Sequence, residues 1–175
     1  MAEKTEALED GSRLCKMTLA SDGFAADWRH CDLLSNYVSH VVSFDKPDPF
    51  VFSNLLSTVI NEILESIYRN HCSGLIDISL HKAGNDTVIV SEIPVNAESR
   101  TFYLDIPRCI DSSAAGSRYR EEIMKTTANI SPAIGFFELA ADYGAKICVD
   151  DIPQSGRIKL SVRVCLGKLV EEDHT

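Results

Sequence analysis

The sequence predicts an α+β fold, a two-layer sandwich in which helices cover one face of a mixed, mostly antiparallel sheet. Three observations predict it. Residues 75–93 and 146–166 each hold two strand-like runs joined by turn residues, as β-hairpins do. Residues 54–70, NLLSTVINEILESIYRN, carry apolar rows at four-residue spacing, with Val51, Leu55, Val59, Ile63 and Ile67 beside Phe52, Leu56, Ile60 and Leu64. Two polar rows complete the cylinder, one through Ser53, Ser57, Asn61, Glu65 and Arg69 and one through Asn54, Thr58, Glu62, Ser66 and Asn70. Half of this helix is therefore expected to be dry and half wet, as for a helix lying on a sheet. Finally, helices alternate with antiparallel pairs along the chain, which is the element order of an α+β sandwich.

Taken in order, residues 1–12 are acidic and polar and read as a loose end. Residues 13–20, RLCKMTLA, read as a short strand suited to a sheet edge. Ser21 or Asp22 then caps a helix over 23–43, in which Phe24, Trp28, Cys31, Leu34, Tyr37, Val38, Val41 and Val42 recur every three or four residues. Trp28 falls in that apolar row, so a core anchor is expected rather than a ligand-stacking surface. Two prolines in DKPDP end the helix, and the central helix follows, stopping near Ser73-Gly74. Strands over 75–81 and 87–93 are joined by AGND. The segment RTFYLDIP fits either a strand or a helix, and residues 109–117 read as a small-residue loop. A short helix over 119–127 comes next. A further helix starts at Ser131-Pro132, takes its apolar positions from Ile134, Phe137, Leu139, Ala140 and Tyr143, and stops at Gly144. Strands over 146–150 and 158–166 close a single domain spanning 13–168, leaving 169–175 as a solvated tail.

The 175 residues suffice for one domain with a real core. A net charge of −9 argues against nucleic acid or an anionic membrane as the partner. No uninterrupted apolar run approaches the ~20 residues of a membrane span, and the first residues lack an apolar signal core, so cytoplasm is the expected location. The six cysteines show no CxxC and no short regular spacing, so reduced and mostly buried thiols are expected. Adjacent residues on a helix, as in His30-Cys31 and His71-Cys72, point in different directions and no second cluster completes four ligands, so no metal site is expected.

Several short pieces resemble the histidine-kinase-like ATPases, the superfamily of DNA gyrase and the sensor kinases. They are WRHC at 28–31, NEILES at 61–66, and IGFF at 134–137 running into DYGAK at 142–146. Within that superfamily the sequence is most similar to bacterial anti-sigma-factor serine kinases and their divergent single-domain relatives. The resemblance covers most of residues 24–166 and implies a Bergerat-like ATPase fold. It implies Glu62 as the general base, with Ser66 at the position of a Mg²⁺-binding asparagine. It places the adenine-binding carboxylate within 90–94, where Glu92 is the nearest candidate, and leaves Gly135 as the one glycine of the phosphate turn.

The departures matter as much. Serine replaces the asparagine, no aspartate occurs in 90–94, there is no DxGxG, and Pro132 stands where an unhindered N–H would serve a phosphate. The resemblance with these losses implies a signalling regulator that needs no cofactor and grips a small STAS-type or sigma-factor-like protein in a partner-switching circuit. Its alternative is an active serine kinase acting on a STAS-like antagonist with Mg-ATP, residues 95–135 forming an ATP lid. A third alternative is a small-molecule sensor using the vacated cleft. A homodimer through the 24–43 helix and a monomer are equally compatible. A carboxylate at the margin of an amphipathic helix is ordinarily solvated, and that state is favoured for Glu62 over a working base.

Overall fold

The computed structural model describes residues 12–21, 27, 29–70, 73–110, 115–124 and 131–167. Its elements are β1 (Ser12–Ala20), α1 (Arg29–Ser43), α2 (Pro49–Arg69), β2 (Leu75–Ala83), β3 (Asp86–Pro94), α3 (Ala97–Cys109), α4 (Ala115–Ile123), α5 (Ile134–Asp142), β4 (Lys146–Ile152) and β5 (Arg157–Val164). The strands form one sheet in the order β1-β2-β3-β5-β4, and each of the four pairings is antiparallel. The expected two-layer α+β architecture is present, without a parallel pair among the described strands.

Strand alternation divides the sheet. Ile76, Ile78 and Leu80 of β2, Ile89 and Ile93 of β3, and Ile158, Leu160, Val162 and Val164 of β5 point into one core with Leu56, Val59, Ile60, Ile63 and Ile67 of α2. The opposite face carries the register neighbours Asp77, Glu92, Arg157 and Lys159. There Arg157 donates to the Leu75 carbonyl at 3.1 Å, the Glu92 carbonyl at 2.8 Å and Asp77 Oδ2 at 2.9 Å, while Thr18 donates to Asp77 Oδ1 at 2.7 Å. This one polar tie joins β1, β2, β3 and β5.

The central helix begins earlier than its apolar rows suggested. Asp48 accepts from the Val51 amide, and Pro49 occupies the first turn, where its missing N–H is harmless. At 21 residues α2 has the length of a membrane span, but its apolar side is buried in the core. The expected half-wet cylinder is corrected in both polar rows, at Ser66 in one and at Ser53 and Ser57 in the other. Ser53 and Ser57 are buried, because α1 packs there through small side chains. Ser53 Oγ lies 3.2 Å from Ser39 Oγ, and Ser57 Oγ donates to Asn36 Oδ1 at 2.8 Å. Val51 and Leu55, placed in an apolar row, are only half-buried.

Residues 97–109 are a helix, which settles the ambiguity of RTFYLDIP. Asn96 accepts from the Ser99 amide while Ser99 Oγ accepts from the Asn96 amide, a reciprocal cap. Tyr103 and Ile106 enter the core, so this part of the 95–135 segment is a packed layer against β4 and β5 rather than a lid. The expected stop at Gly144 holds: it adopts φ +58°, and the Ala145 amide returns to the Leu139 carbonyl. Phe136, absent from the predicted apolar set of this helix, is fully buried.

Among the described cysteines, Cys15, Cys31, Cys109, Cys148 and Cys165 are free thiols, as expected, but only Cys31 is buried and Cys148 is exposed. Burial pushes the Cys31 thiol up to about 11. Trp28, Cys72, the start of the 23–43 helix, the end of the 119–127 helix and both chain ends lie outside the described residues.

Candidate functional site

Glu62 and Ser66 are one turn apart on α2, on the side that meets the start of α5. The approach there is close. A Cβ built on Gly135 would lie 2.6 Å from Glu62 Oε2, 2.9 Å from Ser66 Oγ and 3.3 Å from the Glu62 carbonyl oxygen. Only glycine lets α5 rest on α2 at this point. Three of the four residues singled out from sequence, Glu62, Ser66 and Gly135, are therefore brought together.

Glu92 is not among them. It lies on the sheet face turned away from α2, in register with Asp77 and Lys159, and its Oε2 is 3.9 Å from Arg157 Nε. That ion pair accounts for it.

The expectation of a solvated Glu62 is also corrected. Its carboxyl is half-buried, and burial pushes its pKa from 4.5 up to about 7. The Glu138 and Glu65 carboxylates raise it further, against a lowering from Arg69. Glu65 is itself held by Asn61 Nδ2 at 2.8 Å and by Arg69 at 2.7 Å. Ser66 Oγ is buried without a hydrogen-bond partner. From α4, the Tyr119 hydroxyl donates to Glu138 Oε2 at 3.1 Å. Burial and then Glu138 push that phenol up to about 12. Glu122, on the same helix, accepts from the Ser131 amide at 2.9 Å and so fixes the turn that leads into α5.

The start of α5 is where a phosphate cradle would have to form. Two of its amides are already engaged: Ala133 N donates to Ser131 Oγ at 3.2 Å and Ile134 N to the Ser131 carbonyl at 3.1 Å. Phosphate binding at a helix start needs free N–H groups with room before them. A Mg²⁺ ion needs several oxygen ligands reaching toward the phosphates. Here the Ser66 hydroxyl is covered by Gly135, and the donor set matches a Mg-phosphate poorly.

Open space lies beside this point instead. A cleft of about 290 Å³ is lined by Arg69 and Asn70 at the end of α2, by the cap residue Asn96 and by Glu98, Ser99 and Phe102 of α3, and by Pro132. Sequence reasoning missed these residues along with Glu138. The N-x-x-S cap at 96–99 was the available signal, since it places a helix start against the end of α2.

No protein-family model matches the sequence, and no curated protein matches it. Among solved structures, a chain from the crystal structure of the SiaB-SiaC complex of Pseudomonas aeruginosa is similar. It superposes with a TM-score of 0.57 over 93% of this chain and 95% of that chain, at 13% identity. At that identity the likeness is one of fold.

Proposed function

We propose that this chain is a bacterial, cytoplasmic signalling regulator with a histidine-kinase-like ATPase fold whose nucleotide chemistry is lost or weakened. It works by holding another protein in a partner-switching circuit, and its partner is a small STAS-type or sigma-factor-like protein. The observation that carries this reading is the seating of Gly135 on Glu62 and Ser66, so close that a single added Cβ would clash with both, which favours a packed junction over a metal-phosphate site. The fold likeness to a chain from a two-protein complex, SiaB with SiaC, supports a protein partner.

Calorimetric titration with ATP and Mg²⁺, beside ADP and a metal-free control, tests it. No saturable heat is expected up to millimolar nucleotide. Tight, Mg-dependent binding would overturn the reading.

One observation favours an enzyme instead. A carboxyl near 7 suits a general base at neutral pH. Under that reading Mg-ATP binds, and Glu62→Ala abolishes phosphotransfer to the partner while leaving nucleotide affinity nearly intact.

A further inference from the structure

Three segments distant in sequence meet at the start of α2, and a cleft of about 420 Å³ opens between them. It is lined by Lys46, Asp48 and Phe52 where α2 begins, by Lys82 and Asp86 beside the β2-β3 turn, and by Cys165 just after β5. Its volume falls in the range of pockets that hold small molecules. Asp48 and Glu62 are 14 residues apart along α2. At ~1.5 Å per residue that separation is about 20 Å, so the cleft is distinct from the Glu62 group.

We propose that this cleft binds a small organic monoanion, its charged end taken by Lys46 and Lys82 and its apolar body held beside Phe52 and Cys165. The state of Lys46 carries the argument. Its side chain is only 15% exposed, and its ion pair is a long one, 3.6 Å to Asp45, whose own side chain is 78% exposed. Its other contact is the ring of Phe52, 5.2 Å from ammonium to centroid. A charge so withdrawn from water is costly unless a partner meets it, and a solvated carboxylate at that distance offsets little. Lys82 brings a second ammonium to the same cleft and makes no ion pair with a described residue.

The acids of the cleft limit the charge it accepts. Asp48 Oδ1 accepts from the Val51 amide at 3.1 Å, and Asp86 Oδ2 lies 3.8 Å from Arg163 Nη1. Both carboxylates therefore have a donor of their own, yet both keep their charge beside the cleft. Two ammonium groups against that background suit one negative charge and not the several of a nucleoside triphosphate. Phe52 belongs to the core and Cys165 packs against it, so part of the wall is apolar. A bare inorganic ion would leave that wall wet, whereas an organic anion covers it. The inference rests on other residues than Glu62 and does not depend on whether nucleotide binds there.

Amide NMR of the full chain, titrated with naphthoate as the probe, tests it. Saturable shifts are expected around 46–52, 82–87 and 165–167. The neutral counterpart naphthalenemethanol should bind at least tenfold more weakly, and naphthylmethylammonium and inorganic phosphate should leave those amides unmoved. Lys82 is exposed, so Lys82→Gln should keep the wild-type melting temperature while weakening naphthoate at least fivefold. Lys46→Gln should weaken it as much and melt no lower than the wild type, since a poorly paired charge is removed. A large loss of stability there would mean that Asp45 already satisfies the ammonium, and would overturn the inference. The outer face of α1 offers an apolar probe a competing place, an exposed row with Leu33 at 65%, Tyr37 at 69% and Val41 at 58%. Shifts confined to 33–41, or none at millimolar naphthoate, would overturn the inference. Equal binding of the alcohol, the ammonium or phosphate, or an affinity indifferent to both lysine variants, would overturn it too.

Discussion

Glu62 shows how one side chain changes character between sequence and fold. On an isolated helix it would face water. In the fold α5 covers it, and Glu138 adds a second negative charge on the same side. A carboxyl whose folded pKa is raised favours the folded state when protonated. Its contribution is full below the unfolded value of 4.5 and is lost as pH rises through about 7. Between those values the unfolded chain has released the proton while the folded chain still holds it, so stability falls with rising pH. Glu62→Gln removes this dependence. Urea unfolding at pH 5 and pH 7.5 should show the wild type losing on the order of 1 kcal/mol more than the variant, a figure discounted for the solvent screening of a half-buried group. Parallel losses in the two proteins would mean that Glu62 is solvated after all.

At the scale of elements, the approach of α5 to α2 decides both packing and function. Gly135→Ala drives a methyl group against Glu62 Oε2, Ser66 Oγ and the Glu62 carbonyl, and the carbonyl cannot swing aside. Overpacking of this kind costs about 1–3 kcal/mol. Adding Glu62→Ala should recover part of it, since the nearest contact is removed, and a double-mutant cycle measures the coupling. A neutral Gly135→Ala would mean the helices are farther apart and would reopen the site to phosphate. The same junction shows what the sequence made legible. The glutamate, serine and glycine stand out because their spacing resembles a known pattern, and α2 because its rows repeat. Ser53 and Ser57 did not reveal their burial: a serine reads as wet until a second helix with Ser35 and Ser39 is laid against it. Nor did α3 declare itself, since its buried apolar positions, Tyr103 and Ile106, are few and Pro107 interrupts the pattern. The exposed row on α1 was hidden for the opposite reason. Tyr37 and Val41 were read as core with Val38 and Val42, and periodicity counts apolar residues without saying which of two faces is covered.

Across the whole molecule, the hydrophobic core lies on one side of the sheet, and the other side is held by polar ties between strands distant in sequence. Arg157 is the hub of these ties. From β5 it crosses β3 to reach the Leu75 carbonyl and Asp77 on β2, and Asp77 passes the connection to Thr18 on β1. Its partners are 65 to 82 residues away in the chain, so the tie forms only when the β2-β3 hairpin and the β4-β5 hairpin have met. Removing it should therefore weaken the fold as a unit and not fray one edge. Charge-assisted hydrogen bonds contribute roughly 1.5–3 kcal/mol each, with the low end expected for exposed and part-buried bonds such as these. Arg157→Ala should lower stability by about 2–4 kcal/mol on that basis, with the urea midpoint reduced and the slope unchanged. Arg157→Lys should rescue little, because an ammonium is a point charge and cannot fork between two carbonyls and a carboxylate. A changed slope, or separate transitions for the β1-β2 and β4-β5 ends, would mean that the two halves of the sheet fold independently and that Arg157 joins them only afterward.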